Sequence, residues 1–196
     1  MEYLNEALLH YEGWHRPEDF SQLTDTVAYE LKPTDTFTTF IKRKKFNKII
    51  DCGCGANELK QVFKDYVVSF DVRDILGVDY VGTFQEVENK IEKQSADFIV
   101  CYGSVSFGKR EYIEDCIRIV SEWCMPGCIV LMVTKTNFEH KPKTHNLEYK
   151  WSIEDIFEWG DKYSFNIRTP ILPVILKDSG EYKTSRIRFQ WLWQKI

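Results

Sequence analysis

The segment Lys48-Ile-Ile-Asp-Cys-Gly-Cys-Gly-Ala-Asn57 constrains this chain more than any other. It joins a short apolar run to an acid, a Gly-x-Gly turn and a helical pattern. Glycines at 53 and 55 allow positive φ and a backbone approach that a Cβ would block. Asn57 is a favoured N-cap for a helix starting at Glu58, and Leu59, Val62, Phe63 and Tyr66 recur behind it at helical spacing. Those residues predict a strand, a tight turn and a helix. A lone Gly-x-Gly also fits an ordinary structural turn, so the chemistry has to come from its surroundings.

Val67-Val-Ser-Phe-Asp71 reads as a second strand, whose terminal acid lies 20 residues beyond Asp51. In doubly wound folds an acid at that place accepts hydrogen bonds from ribose hydroxyls. A dinucleotide site would also set a pyrophosphate on the helix N-terminus and use a third glycine. Here Ala56, Asn57 and Glu58 follow Gly55 instead. The carboxylate of Asp51, two residues before the first glycine, repels phosphate and suits an ammonium. S-adenosylmethionine carries an ammonium and no phosphate.

The remaining periodicities alternate between strand and helix, which implies a mostly parallel sheet covered by helices. Asp35 is placed to cap a helix carrying Phe37, Phe40 and Ile41, with Lys42 to Lys45 near its C-terminus where cations complement the dipole. Phe84, Val87 and Ile91 form another stripe, and Asp97 to Tyr102 reads as a buried fourth strand. Ile113, Cys116, Ile117, Val120 and Cys124 line the next helix. Cys128 to Thr134 is the predicted fifth strand. Ser152 with Asp155 approximates a capping box, Trp151 and Ile156 have staple spacing, and Gly160 is placed to end that helix. Arg186 to Trp193 alternates, as a strand with one buried face does, and Pro170 to Leu176 reads as an edge or bent strand pairing with it.

The order of these motifs resembles the class I S-adenosylmethionine-dependent methyltransferases, whose first motif is a strand followed by D-x-G-x-G, matched by Asp51, Gly53 and Gly55. Asp71 falls where that family places its ribose-binding acid. Met125-Pro-Gly127 falls where a proline-glycine turn leads into the fifth strand. The resemblance covers roughly residues 34 to 196, and Gly103-Ser-Val-Ser-Phe-Gly108 is similar to a segment of methyltransferases encoded by bacteriophages. It implies a Rossmann-like, seven-stranded, mostly parallel sheet with helices on both faces and a C-terminal antiparallel strand pair. It also implies S-adenosyl-L-methionine as cofactor, bound by Asp51, Gly53, Cys54, Gly55, Asn57, Asp71, Thr83, Phe84 and Tyr102. Two departures stand against it: Asn57 replaces the usual third glycine, and Gly82-Thr83 follows the third strand where relatives often carry an acid for the adenine amine.

Residues 1–33 read as an N-terminal extension or lid, rich in aromatics around His10-Tyr-Glu-Gly-Trp-His15, and residues 34–196 as one methyltransferase-like domain. Methyl transfer from a sulfonium needs in-line approach and a dry site, so no dedicated nucleophile is required. Tyr102, Ser104 and His140 are the candidate groups near the transferred methyl. For Tyr102 and Ser104 the competing reading is strand-end packing and a turn, and for His140 and His145 an exposed loop. The loop that carries these histidines, Thr136 to Asn146, is expected to govern acceptor choice.

A net charge of −4 argues against a sequence-independent grip on duplex nucleic acid. A small molecule or a protein side chain is the preferred acceptor, and basic runs at Lys42 to Lys45 and Lys141 to Lys143 keep nucleic acid open. The cysteine and histidine spacings match no common zinc pattern, so no metal is expected. Without an apolar span or secretory signal, the expected address is cytoplasmic and away from membrane. The alternative function is a catalytically silent binding or structural protein on the same fold.

Overall fold

The computed structural model describes residues 37–135, 149–169, 171–176 and 186–196. The N-terminal extension, the Asp35 cap and the loop carrying His140 and His145 lie outside the described residues. The elements are α1 (Phe37–Lys44), β1 (Ile49–Cys52), α2 (Glu58–Phe63), β2 (Val67–Asp71), β3 (Tyr80–Val81), α3 (Phe84–Val87), β4 (Ala96–Tyr102), α4 (Arg110–Trp123), β5 (Cys124–Lys135), α5 (Ile153–Lys162), β6 (Phe165–Ile167), β7 (Leu172–Leu176) and β8 (Arg186–Lys195).

The sheet runs β3-β2-β1-β4-β5-β8-β6, with β7 also paired to β8. The first five positions are parallel and β8 is antiparallel to β5. The eight described strands therefore fill seven positions, because β6 and β7 share one side of β8. The second half of β8 pairs with β6 and the first half with β7. Local chemistry explains the split: Arg168 N donates to Leu192 O at 2.8 Å, and then Leu192 N donates to the Thr169 side chain at 2.9 Å. Pro173 is tolerated in β7 as an edge strand.

Successive residues of each strand point to opposite faces. Ile49, Val67, Phe98, Val100, Leu131 and Leu192 meet Phe40 and Ile41 of α1 and Leu59 of α2 on one face. On the other, Ile50, Cys52, Phe70, Ile99, Cys101, Val130 and Met132 meet α3, α4 and α5. That second core holds Trp151, Trp159, Trp191 and Trp193 fully buried, with Trp151 edge-on to Trp159 at 4.8 Å and Trp191 edge-on to Trp193 at 5.2 Å. All six cysteines are free and buried, as small core hydrophobes.

Several local expectations need correction. Asn57 does not cap α2: it sits at φ 56° and makes no capping side-chain bond. The helix behind it stops after six residues, because Lys64 takes φ 46°, leaving Val62 and Tyr66 exposed. Cys124 opens β5 rather than closing α4, with Met125, Pro126 and Gly127 as an exposed bulge near its start. Gly160 lies inside α5, where a Cβ would stand 3.3 Å from Trp193 Nε1, so it serves packing and not termination. In β8, the polar residues Arg188 and Gln190 are buried along with the apolar ones.

The Ser152–Asp155 capping box is formed, with Asp155 N donating to Ser152 Oγ at 3.2 Å and Ser152 N donating to Asp155 Oδ2 at 2.9 Å. Ser152→Ala removes one acceptor from the first turn of α5. We expect a loss of about 1 kcal/mol and a melting temperature lower by a few degrees, read by thermal unfolding monitored by circular dichroism.

Candidate functional site

Parallel pairing brings the carboxyl ends of β2, β1 and β4 to one edge of the sheet, and the strand order reverses between β1 and β4. Open α/β sheets bind ligands in the crevice at such a point. The turn after β1 is held to β2, because Gly53 N and Cys54 N both donate to Phe70 O, at 2.9 and 3.0 Å. Gly53 has φ 66°, and a Cβ there would lie 2.7 Å from Ser104 Cβ. The loop after β4 therefore presses against the glycine turn, and only glycine permits it.

Asp51 ends up inside this junction, 4% exposed, with its Oδ2 making no hydrogen bond among the described residues. Burial first, and then the nearby carboxylates of Asp71 and Glu58, push its acid up to about 7. Two further buried oxygens at the same place lack a hydrogen-bond partner among the described residues, Asn57 Oδ1 and Ser104 Oγ. Buried polar atoms are satisfied as a rule, so three acceptors around one turn stand out for having no donor among the described residues. Cys54 also lines this turn, and burial beside Asp51 and Asp71 pushes its thiol up to about 12, which keeps it neutral.

Asp71 is engaged. Its Oδ2 accepts from Gly55 N at 3.0 Å, and its Oδ1 accepts from Arg73 N and Arg73 Nε, both at 3.0 Å. Arg73 is a residue that sequence reasoning missed; a cation two positions after the second-strand acid was the available signal. Asn57 uses its amide N–H to donate to Leu76 O at 3.4 Å, which ties the turn to the segment after β2.

Thr83 is buried and caps α3, its hydroxyl accepting from Glu86 N at 3.3 Å while Thr83 N donates to Glu86 Oε2 at 2.8 Å. Phe84 is turned into the core beneath the edge, 5.0 Å from Phe70 and 6.1 Å from Trp123 by ring centroids. Tyr102 ends β4, partly buried against the α1–α2 face. The structure thus gathers Asp51, Gly53, Cys54, Gly55, Asn57, Asp71 and Ser104 at one edge with Tyr102 beside them, and commits Phe84 to packing. Among the described residues, no group of three or more His, Cys, Asp or Glu side chains is arranged to hold a metal ion, and no helix is long and apolar enough to cross a membrane.

No family model matches the chain, and comparison with curated proteins gives no match. Solved structures do match. A methyltransferase of Thermotoga maritima, described as S-adenosylmethionine-dependent and a possible histamine N-methyltransferase, aligns over 100% of this chain and 99% of its own at TM-score 0.62 and 12% identity. The 1,6-didemethyltoxoflavin N1-methyltransferase of Burkholderia thailandensis, solved with 1,6-didemethyltoxoflavin and S-adenosylhomocysteine, aligns over 99% of this chain and 85% of its own at TM-score 0.67 and 9% identity. An S-adenosylmethionine-dependent methyltransferase of Mesorhizobium loti covers 76% of this chain and 90% of its own at TM-score 0.59 and 11% identity.

The fold is that of the class I S-adenosylmethionine-dependent methyltransferases. At such identities the likeness carries the architecture and leaves the chemistry to the site. The bacteriophage resemblance gains no support from these comparisons.

The raised acid of Asp51 has a thermodynamic consequence. Between about pH 4 and 7 the folded chain holds a proton there that the unfolded chain has released, so this group's contribution to stability falls as pH rises through that window. Above it the penalty is complete, on the order of 4 kcal/mol. Asp51→Asn, which cannot ionise, should therefore unfold at a higher denaturant concentration than the parent at pH 8. The gain should shrink to nothing near pH 4; an equal gain at both pH values would show that ionisation is not its cause.

Proposed function

We propose that this protein is an S-adenosylmethionine-dependent methyltransferase acting on a small-molecule or protein acceptor. The observation that carries the reading is the buried Asp51 carboxyl, without a hydrogen bond on Oδ2 among the described residues, beside a positive-φ glycine turn at the reversal point of a methyltransferase-fold sheet. Such a group offers a charge-assisted acceptor to an ammonium and repels a phosphate. Asn57 Oδ1 and Ser104 Oγ supply neighbouring acceptors, and Gly53 and Gly55 keep the approach clear. In this reading Asp71 also receives ribose hydroxyls, in exchange for some of the bonds it accepts from Arg73.

The cofactor, when bound, supplies a sulfonium methyl: an acceptor lone pair forms the new bond to carbon, the carbon–sulfur pair passes to sulfur, and any acceptor proton leaves to a base or water. The chain's part is placement. Asp51 and Asp71 fix the two ends of the ligand, and the close approach of Ser104 to Gly53 joins the ends of β4 and β1. Tyr102 and Ser104 stand where β4 ends and are the groups assigned to the reacting region, with His140 as the base candidate. Such positioning can supply a large part of the rate in a displacement of this kind.

Calorimetric titration tests the reading. S-adenosylhomocysteine should bind, and Asp71→Ala should weaken it roughly tenfold to a hundredfold by removing charge-assisted hydrogen bonds. Affinity should rise with pH up to about 7, as Asp51 ionises. It should fall again at more alkaline pH, where the ligand's own α-amino group loses its proton. NADH binding more tightly than S-adenosylhomocysteine would overturn the cofactor assignment. Binding without transfer of a radiolabelled methyl to RNA, DNA, protein or metabolite fractions would leave a silent binding protein on this fold.

A further inference from the structure

The acid at the end of β2 has its oxygens filled, and its own chain fills them. Oδ1 of Asp71 accepts from Arg73 N and Arg73 Nε, both at 3.0 Å. Oδ2 accepts from Gly55 N at 3.0 Å and from Arg73 Nη2 at 3.5 Å. A carboxylate offers about four lone-pair sites. Backbone N–H groups take two of them and the Arg73 guanidinium takes two, so a further donor can enter only by displacing one of these.

The two kinds of donor differ in what can move them. Gly55 N belongs to the turn whose amides at Gly53 and Cys54 are held on Phe70 O, and Arg73 N belongs to the main chain two residues after Asp71. The guanidinium is the end of a long side chain, 18% exposed against 7% for the side chain of Asp71. It places one N–H on each carboxylate oxygen, Nε on Oδ1 and Nη2 on Oδ2. A ribose cis-diol binding one carboxylate with both hydroxyls would place its two O–H groups in the same pattern.

We propose that Arg73 is a latch on the ribose-binding acid: its guanidinium stands in for a vicinal diol in the unliganded protein and leaves when a ribonucleoside ligand binds. This rests on the reading of Asp71 as the acid that receives the ribose. Binding exchanges two charge-assisted N–H bonds for two O–H bonds on the same oxygens, while Gly55 N and Arg73 N stay in place. The free energy of opening the ion pair is lost from the ligand's affinity, as at any site whose binding-competent form is a minor population. Arg73 therefore lowers the affinity of the site that it occupies, and its removal should tighten binding. Lysine cannot replace it, since one ammonium lacks the planar fork that meets both oxygens together.

Calorimetric titration into the full chain tests the latch with two ligands, S-adenosylhomocysteine and 5′-methylthioadenosine, which has the ribose but no ammonium. Arg73→Met should bind both about tenfold more tightly than the parent, and Arg73→Lys should fall between the two. A merely structural role for Arg73 predicts weaker or equal binding in Arg73→Met. Either of those results overturns the latch, while binding of S-adenosylhomocysteine by the parent leaves the cofactor reading standing. A gain confined to S-adenosylhomocysteine also overturns it, because loss of a cation would then act on the ligand's ammonium and not on its ribose. If Arg73→Met fails to fold, Arg73→Lys decides: tighter binding of both ligands supports the latch, and equal or weaker binding overturns it. NADH also carries ribose cis-diols. Its tighter binding to Arg73→Met, with no S-adenosylhomocysteine binding by any form, would keep the latch and sink the cofactor reading alone. Binding of none of the three ligands by any form overturns both.

Discussion

The two hydrogen bonds from Gly53 and Cys54 to the carbonyl of Phe70 are the constraint on which the rest of the site depends. They bend the chain back over the end of β2 as it leaves β1, so that Asp51, Asn57 and Asp71 come together without any contact between their own side chains being needed. The bend requires positive φ at Gly53 and Gly55 and leaves no room for a Cβ at Gly53 under Ser104. Backbone geometry, more than side-chain attraction, thus sets the junction between the two halves of the sheet.

Charge is handled unevenly along this edge. Asp71 is satisfied by a backbone N–H and by Arg73. Asp51, only one strand away, keeps an oxygen without a hydrogen bond among the described residues, in the same buried surroundings. Leaving a carboxyl so placed costs stability, and natural proteins tolerate such costs mainly where binding or chemistry needs them. On the far side of β4 the sign reverses, with Lys135 and Arg188 buried beside one another. The sheet face accordingly carries an acidic end, an aromatic and glycine-lined middle at Tyr102 and Gly103, and a basic end.

Much of the frame was legible in the order of residues alone. Apolar runs of strand length around 49–52, 67–71 and 96–102 are buried from both faces, so their sequences had no other stable place. The capping box at Ser152 and Asp155 is a contact within one turn, and local contacts survive translation from sequence to structure. The failures were of one kind. Asn57 has the composition of a cap but takes a left-handed conformation. The segment from Leu59 to Tyr66 has helical spacing, yet Lys64 breaks the helix. Gln190 and Arg188 alternate with apolar residues as solvent-facing positions do, yet they are enclosed. In each case the local pattern did not decide the outcome.

The sequence by itself determined the strand-turn-helix unit around Asp51, Gly53 and Gly55, the acid at the end of β2 and the alternating order that yields a parallel sheet, because these depend on spacing and on the conformational freedom of glycine. Only the tertiary structure decided which polar atoms are left without hydrogen bonds, that Arg73 engages Asp71, that Phe84 belongs to the core, and that Lys135 faces Arg188. Those facts depend on register between strands far apart in the chain. A shift of one residue would send every side chain of a strand to the opposite face, and nothing in a linear sequence fixes that register until the sheet has formed.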